Sequence, residues 1–110
     1  MILKRVVVTG LGALTPIGNN IGDFWQGLAS GKSGGAPITY YDTSKSKIKF
    51  ACELKNFDIS DFLDRKEHRR MDKFTQYAMV STEEAINDSG LDLDSIDKLR
   101  VGVIWGSGIG

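Results

Sequence analysis

Two short apolar runs, Val6–Val8 near the start and "VGVIW" at residues 101–105, constrain this chain more than any other feature. Neither alternates apolar with polar residues, so each reads as a strand buried on both faces, the kind found in a parallel or mixed sheet covered by helices. Two such strands need helices on both sides. The sequence supplies one long helix and a few short ones. The chain also ends in a glycine-rich turn, "GSGIG", just after the second run, where a further element is expected. The expectation is an α/β fold of which residues 1–110 are the N-terminal portion, with no complete second domain.

A glycine cluster follows the first run, in "VVVTGLGALTPIG" at residues 6–18. A dinucleotide-binding loop needs G-x-G-x-x-G opening a helix, with an acidic residue some twenty positions on. Gly10 and Gly12 fit, but Thr15 stands at the third position, Pro16 follows it, and Asp42 comes too late. The pattern fails at three points, and no nicotinamide cofactor is expected. These glycines instead let the backbone turn and pack close to another element.

Between the two runs the pattern is helical, then extended, then helical. Ile21, Phe24, Trp25 and Leu28 recur at helical spacing, and Gly31 stands where such a helix ends. "GKSGG" is a flexible connection. "KFACELK" alternates, placing Phe50, Cys52 and Leu54 on an apolar side and Lys49, Ala51, Glu53 and Lys55 on the other, as in a half-buried strand. Asp58 is a candidate N-cap for a helical turn through Leu63, and Asp72 for a helix over about Lys73–Ser89. Phe74, Tyr77, Ala78, Ser81, Ala85 and Ile86 line one face of that helix. Gly90 and Leu91 suit a Schellman ending.

Candidate chemistry is sparse. The single cysteine, Cys52, is expected inside the strand's apolar side as an inert hydrophobe, and it cannot form an internal disulfide. His68, the only histidine, has no second ligand for a metal and is expected to be solvated. Fourteen basic and fourteen acidic residues give zero net charge, which argues against nucleic acid or an anionic membrane as a partner. No segment is long and apolar enough for a membrane span, and a cytoplasmic setting is expected. The one charge concentration is "RKEHRR", residues 65–70, with four basic side chains against Glu67. It is either a solvated face balanced by Asp61, Asp64 and Asp72, or a docking patch for an acidic partner.

Taken in order, "KRVVVTGLGALTPIGN", "FWQGLASGKSG", "ITYYDTS", "RKEHRRMDKFTQYA", "AINDSGL" and "VGVIWGSGIG" resemble the N-terminal part of the type II β-ketoacyl-acyl-carrier-protein synthases. These are the elongating condensing enzymes of bacterial fatty-acid synthesis. The resemblance implies a thiolase-like layered α-β-α-β-α fold, incomplete here, and decarboxylative Claisen condensation of an acyl-enzyme with malonyl-acyl carrier protein. It places the catalytic cysteine and two histidines in motifs that follow residue 110 in the family, so Cys52 and His68 inherit no role. It matches Lys66, Arg69 and Arg70 to positions that dock acyl carrier protein, and Ile109 to the acyl pocket. It further implies a homodimer and no metal or cofactor. A non-catalytic homologue, chain-length-factor-like, stays open as the alternative.

Overall fold

The computed structural model describes all 110 residues. Helix α1 spans Ile21–Ala29, β1 Ala36–Pro37, β2 Phe50–Ala51, α2 Arg65–His68 and α3 Lys73–Ser89, with 3-10 turns at Ile59–Asp61 and Lys98–Arg100. The β1–β2 pair is antiparallel, Ala36 opposite Ala51 and Pro37 opposite Phe50.

The helix ends follow local chemistry. Asn20 Oδ1 accepts from the Asp23 N–H at 2.8 Å and so caps α1. Asp58 Oδ1 accepts from the Ser60 N–H at 2.9 Å, as its N-cap assignment requires. Asp72 precedes α3 with extended backbone but makes no side-chain cap bond. Gly90 ends α3 at φ 66°, a left-handed conformation that suits glycine. The Schellman ending forms in part: the Gly90 N–H donates to the Asn87 carbonyl at 3.2 Å, whereas the Leu91 N–H goes to Ser89 Oγ at 3.1 Å and not to a backbone carbonyl of the last turn.

The centre of the molecule is α3, packed on two sides. One side is small, and the loop 9–15 lies directly on it. A Cβ on Gly12 would strike the Ser81 carbonyl oxygen and come within 3.0 Å of the Ala85 nitrogen. A Cβ on Gly10 would meet the Ala85 carbonyl and the Ser89 nitrogen. Backbone therefore touches backbone, the close approach that only glycine allows. Side chains of α3 complete the junction. Glu84 Oε2 accepts from the Ala13 N–H at 2.9 Å, and its Oε1 from the Ile21 N–H, at the first residue of α1, at 2.7 Å. Asp88 Oδ2 accepts from the Leu11 N–H at 2.9 Å. On the other side, Val80 is only 5% exposed. Phe57 stacks on Phe62 with ring centroids 5.7 Å apart and meets Tyr77 edge-on at 5.9 Å.

The β1–β2 region is fixed to this frame by polar groups. The Lys55 ammonium donates to the carbonyls of Gly34 (2.7 Å), Glu53 (3.0 Å) and Pro16 (3.2 Å), which uses all three of its protons. Glu53 accepts from the Thr39 hydroxyl at 2.8 Å and from the Thr39 and Tyr40 N–H groups. Burial pushes the Glu53 carboxyl up, but those bonds and the Lys55 charge outweigh it and hold it below the ordinary 4.5. A lowered carboxyl stabilises the fold above its unfolded value and stops doing so as pH falls through its folded value. Glu53→Gln should therefore cost stability at neutral pH, and the gap to the parent should narrow as pH falls below the ordinary 4.5. Urea midpoints across that range test it, and a gap unchanged at low pH would be the contrary result.

Several expectations need correction. Val6–Val8 and Val101–Trp105 belong to no ladder, and Val6, Val8 and Ile104 are 88%, 78% and 100% exposed. A strand forms only where a neighbour accepts its N–H and C=O groups, and no other segment of residues 1–110 runs beside them. The sidedness of "KFACELK" holds only at Leu54, half-buried, and Lys49, exposed. Phe50 and Cys52 are exposed, whereas Ala51, Glu53 and Lys55 are half-buried, because Glu53 and Lys55 carry the bonds to Thr39, Pro16 and Gly34. Cys52 is therefore not a core residue here.

These open faces show in the dimensions. The accessible area is 9133 Å², against roughly 6,000 Å² for a closed domain of this mass. The radius of gyration is 17.3 Å, against about 13 Å for a compact chain of this length. Helices and one short antiparallel pair, with apolar runs left exposed, make a mixed α/β arrangement of partial-domain type.

Candidate functional site

On a continuous helix over residues 65–70, Arg65 would lie above Arg69 and Lys66 above Arg70. Helix α2 ends at His68, and Arg69 and Arg70 continue in a turn closed by the Arg70 N–H on the Glu67 carbonyl at 3.2 Å. The side chains of Arg65, Lys66, Arg69 and Arg70 are all exposed. None is ion-paired. The single salt bridge of the chain joins Lys98 to Asp94 at 3.5 Å, and the balance by Asp61, Asp64 and Asp72 does not take the form of contacts. Four unpaired cations on one short turn make a surface whose charge is available to a partner.

His68 also departs from expectation. It is half-buried rather than solvated, and its Nε2 is buried without a hydrogen-bond partner. Its carbonyl accepts from Gln76 Nε2 at 2.9 Å, which ties α2 to α3. The Asp58 carboxyl is held low first by the Ser60 hydroxyl and N–H, with a smaller contribution from His68. His68 thus packs the basic turn against the 3-10 turn before it. No group of His, Cys, Asp or Glu residues is arranged to hold a metal ion.

Ile109 lies in the terminal turn and is 92% exposed. Ser107 Oγ donates to its carbonyl at 2.7 Å. A groove of about 690 Å³ runs over α3 between Gly10–Thr15 and Val103–Trp105, floored by Phe74, Tyr77 and Ser81. Ile109 is not among its lining residues. The next residue, Gly110, lies against the start of α3, where a Cβ on it would come within 2.9 Å of Asp72 Oδ2 and 3.2 Å of the Phe74 ring.

The sequence reading missed Glu84 as the joint between loop, α1 and α3. A signal was present. Glu84 and Asp88 stand at i and i+4 in an α3 stretch that also carries the Ala85–Ser89 contacts, and like charges at that spacing destabilise a helix unless donors compensate.

A family description, beta-ketoacyl synthase, N-terminal domain, matches residues 3–110. The chain belongs to the beta-ketoacyl synthase family. Among curated members of that family it is 50% identical over 107 residues to 3-oxoacyl-[acyl-carrier-protein] synthase 2 of Synechocystis sp. and to the enzyme of that name from Staphylococcus aureus. It is 48% identical to the Coxiella burnetii one. In each case 97% of this chain is covered, and the chain spans 26% of the relative's length. Two solved ketosynthase structures share its fold. The ishigamide ketosynthase/chain length factor matches 82% of this chain and 22% of its own at 31% identity, TM-score 0.71. A type II PKS acyl-carrier protein in complex with its ketosynthase matches 87% and 25% at 31% identity, TM-score 0.68. The thiolase-like α/β expectation is thereby met. The unpaired Val6–Val8 and Val101–Trp105 runs are consistent with a ketosynthase layer seen in part.

Proposed function

We propose that this chain works as the N-terminal quarter of a 3-oxoacyl-acyl-carrier-protein synthase that elongates fatty acids. The observation that carries this reading is 50% identity to synthases of that name across 97% of the chain. In the proposed reaction an acyl group passes from the carrier thioester to a cysteine thiolate of the enzyme, and the carrier thiol leaves. Malonyl-carrier protein then loses carbon dioxide, and the resulting carbanion attacks the acyl-enzyme carbonyl and expels the cysteine. Oxyanion donors stabilise both steps. Residues 1–110 supply none of these groups in this proposal. Cys52 lies exposed on a hairpin, and His68 is spent on packing.

The chain's own share is placement. Lys66, Arg69 and Arg70 receive the acidic acyl carrier protein, and Ile109 borders the acyl chain. A cytoplasmic homodimer is the proposed setting, and no helix is long and apolar enough to cross a membrane. The likeness to a ketosynthase/chain length factor keeps a second reading, a carrier-binding subunit without chemistry.

One assay separates them. The protein that contains this chain is given acyl-carrier substrates of short and long chain with malonyl-carrier protein, as parent and as Ile109→Phe. Condensation by the parent supports the synthase, and its absence with carrier binding intact supports the second reading. The added ring should depress turnover of the long chain about tenfold relative to the short one, through overpacking. An unchanged chain-length profile removes Ile109 from the pocket.

A further inference from the structure

A second basic surface lies beside the first. The loop from Tyr40 to Phe50 carries Lys45, Lys47 and Lys49 against one acidic residue, Asp42. Its aromatic and aliphatic side chains are turned outward, with Tyr40 56%, Tyr41 57%, Ile48 62% and Phe50 70% exposed. Tyrosine gathered at a surface is characteristic of interfaces, and an apolar patch with a charged rim usually has a partner.

The loop is held in shape by its own polar groups. Asp42 Oδ1 accepts from the Ser44 N–H at 3.0 Å and its Oδ2 from the Ser44 hydroxyl at 3.1 Å. Lys49 Nζ donates back to the Thr43 and Ser44 carbonyls, so Lys49 closes the loop. Lys45 and Lys47 make no hydrogen bond or ion pair and stay exposed. At its base Glu53 fixes Thr39 and Tyr40. A loop ordered in advance loses little entropy on binding.

One contact joins this loop to the basic turn. Lys73 Nζ sits 4.0 Å from the centre of the Tyr40 ring. Lys73 opens α3 three residues after Arg70. Lys73 and Tyr40 thus join the start of α3, just after the basic turn, to the loop that carries Lys45 and Lys47.

We propose that the Tyr40–Phe50 loop is the second half of the carrier-docking surface, with Lys45 and Lys47 receiving acidic side chains of the carrier protein and Tyr40 and Tyr41 its apolar ones. This rests on the carrier-binding reading above, and charge complementarity together with continuity with α2 selects the same occupant. The unpaired lysines steer the partner, and the aromatic rings desolvate against it.

The test is the dissociation constant for acyl carrier protein, measured on the protein that contains this chain at low and high salt, with melting temperature as the check on folding. Lys45→Glu with Lys47→Glu should weaken binding about fivefold at low salt, and Lys45→Gln with Lys47→Gln about twofold. Both effects should shrink at high salt. Unchanged affinity in the loop variants, beside weakened binding by Lys66→Glu, Arg69→Glu and Arg70→Glu, overturns the loop's role and leaves the carrier reading standing. Unchanged affinity in both sets overturns the carrier reading itself. A salt-independent loss with a lowered melting temperature assigns the loop a structural role and likewise overturns the proposal.

Discussion

Gly12→Ala should destabilise the protein by about 3 kcal/mol, although it adds a single methyl group. The new carbon would overlap the Ser81 carbonyl oxygen and press within 3.0 Å of the Ala85 nitrogen and the Ser81 carbonyl carbon. All three are backbone atoms of α3, so no side chain can rotate away. The loop must lift, and lifting it strains the bonds it makes on either side, Leu11 N–H to Asp88 and Ala13 N–H to Glu84. Glu84 also holds the first turn of α1, so the damage spreads to a second helix. A matched control is Gly22→Ala, in exposed helix α1, where the added carbon would lie 3.4 Å from Asn20 Oδ1 and near nothing else. That change should be neutral or stabilise by up to about 1 kcal/mol, since alanine is the better helix former. Urea unfolding of both variants measures the difference. Gly12→Ala within about 0.5 kcal/mol of the parent would show that the loop does not rest on α3.

The glycine reading and the helix bounds were legible in the sequence because their causes are local. Gly31 and Gly90 are determined by the residue's own backbone preference and its nearest neighbours, and α3 runs over Lys73–Ser89 as its periodicity predicts. What was illegible depends on which segment lies opposite. The alternation of Phe50–Lys55 revealed that two sides differ, but not that Lys55 would spend its ammonium on three carbonyls while Phe50 and Cys52 stay exposed. His68 looked solvated because its neighbours in sequence are charged, yet α2 turns its ring inward while presenting Lys66 and Arg69 to solvent. Val80 lies off the helix face that periodicity selects and is buried by the turn carrying Phe62. The basic segment itself was legible as a concentration of charge. Its freedom from ion pairs was not, and the proposed docking role draws on that freedom.

Reversing Lys66, Arg69 and Arg70 to glutamate should reduce kcat/KM for carrier-linked substrate by tenfold or more at low salt. Each exposed pair with an acidic partner contributes only about 0.2–1 kcal/mol. Three that roughly add give about 0.6–3 kcal/mol, and 1.4 kcal/mol is a factor of ten. Reversal adds repulsion to the loss of attraction. None of the three cations has an acidic partner within the chain, so no internal pair offsets the change and the fold loses no ion pair. The effect should fall mainly on association, because rim charges act through long-range steering, and it should fade as the Debye length shortens from about 10 Å at 0.1 M salt to 3 Å at 1 M. Single changes should not be equal. Arg69 and Arg70 present a planar fork that binds a carboxylate through two parallel bonds, whereas Lys66 acts as a point charge, so the arginines should matter more and Arg→Lys should not rescue them fully. Steady-state kinetics with carrier-linked and free thioester substrates at two salt concentrations give the answer as a ratio. A ratio that collapses at low salt and recovers at high salt assigns the segment to docking. Equal losses with both substrates would mean that the turn matters through the packing of His68 and Gln76 beneath it, where the Gln76 amide donates to the His68 carbonyl at 2.9 Å and to the Met71 carbonyl at 3.2 Å, and not through its charge.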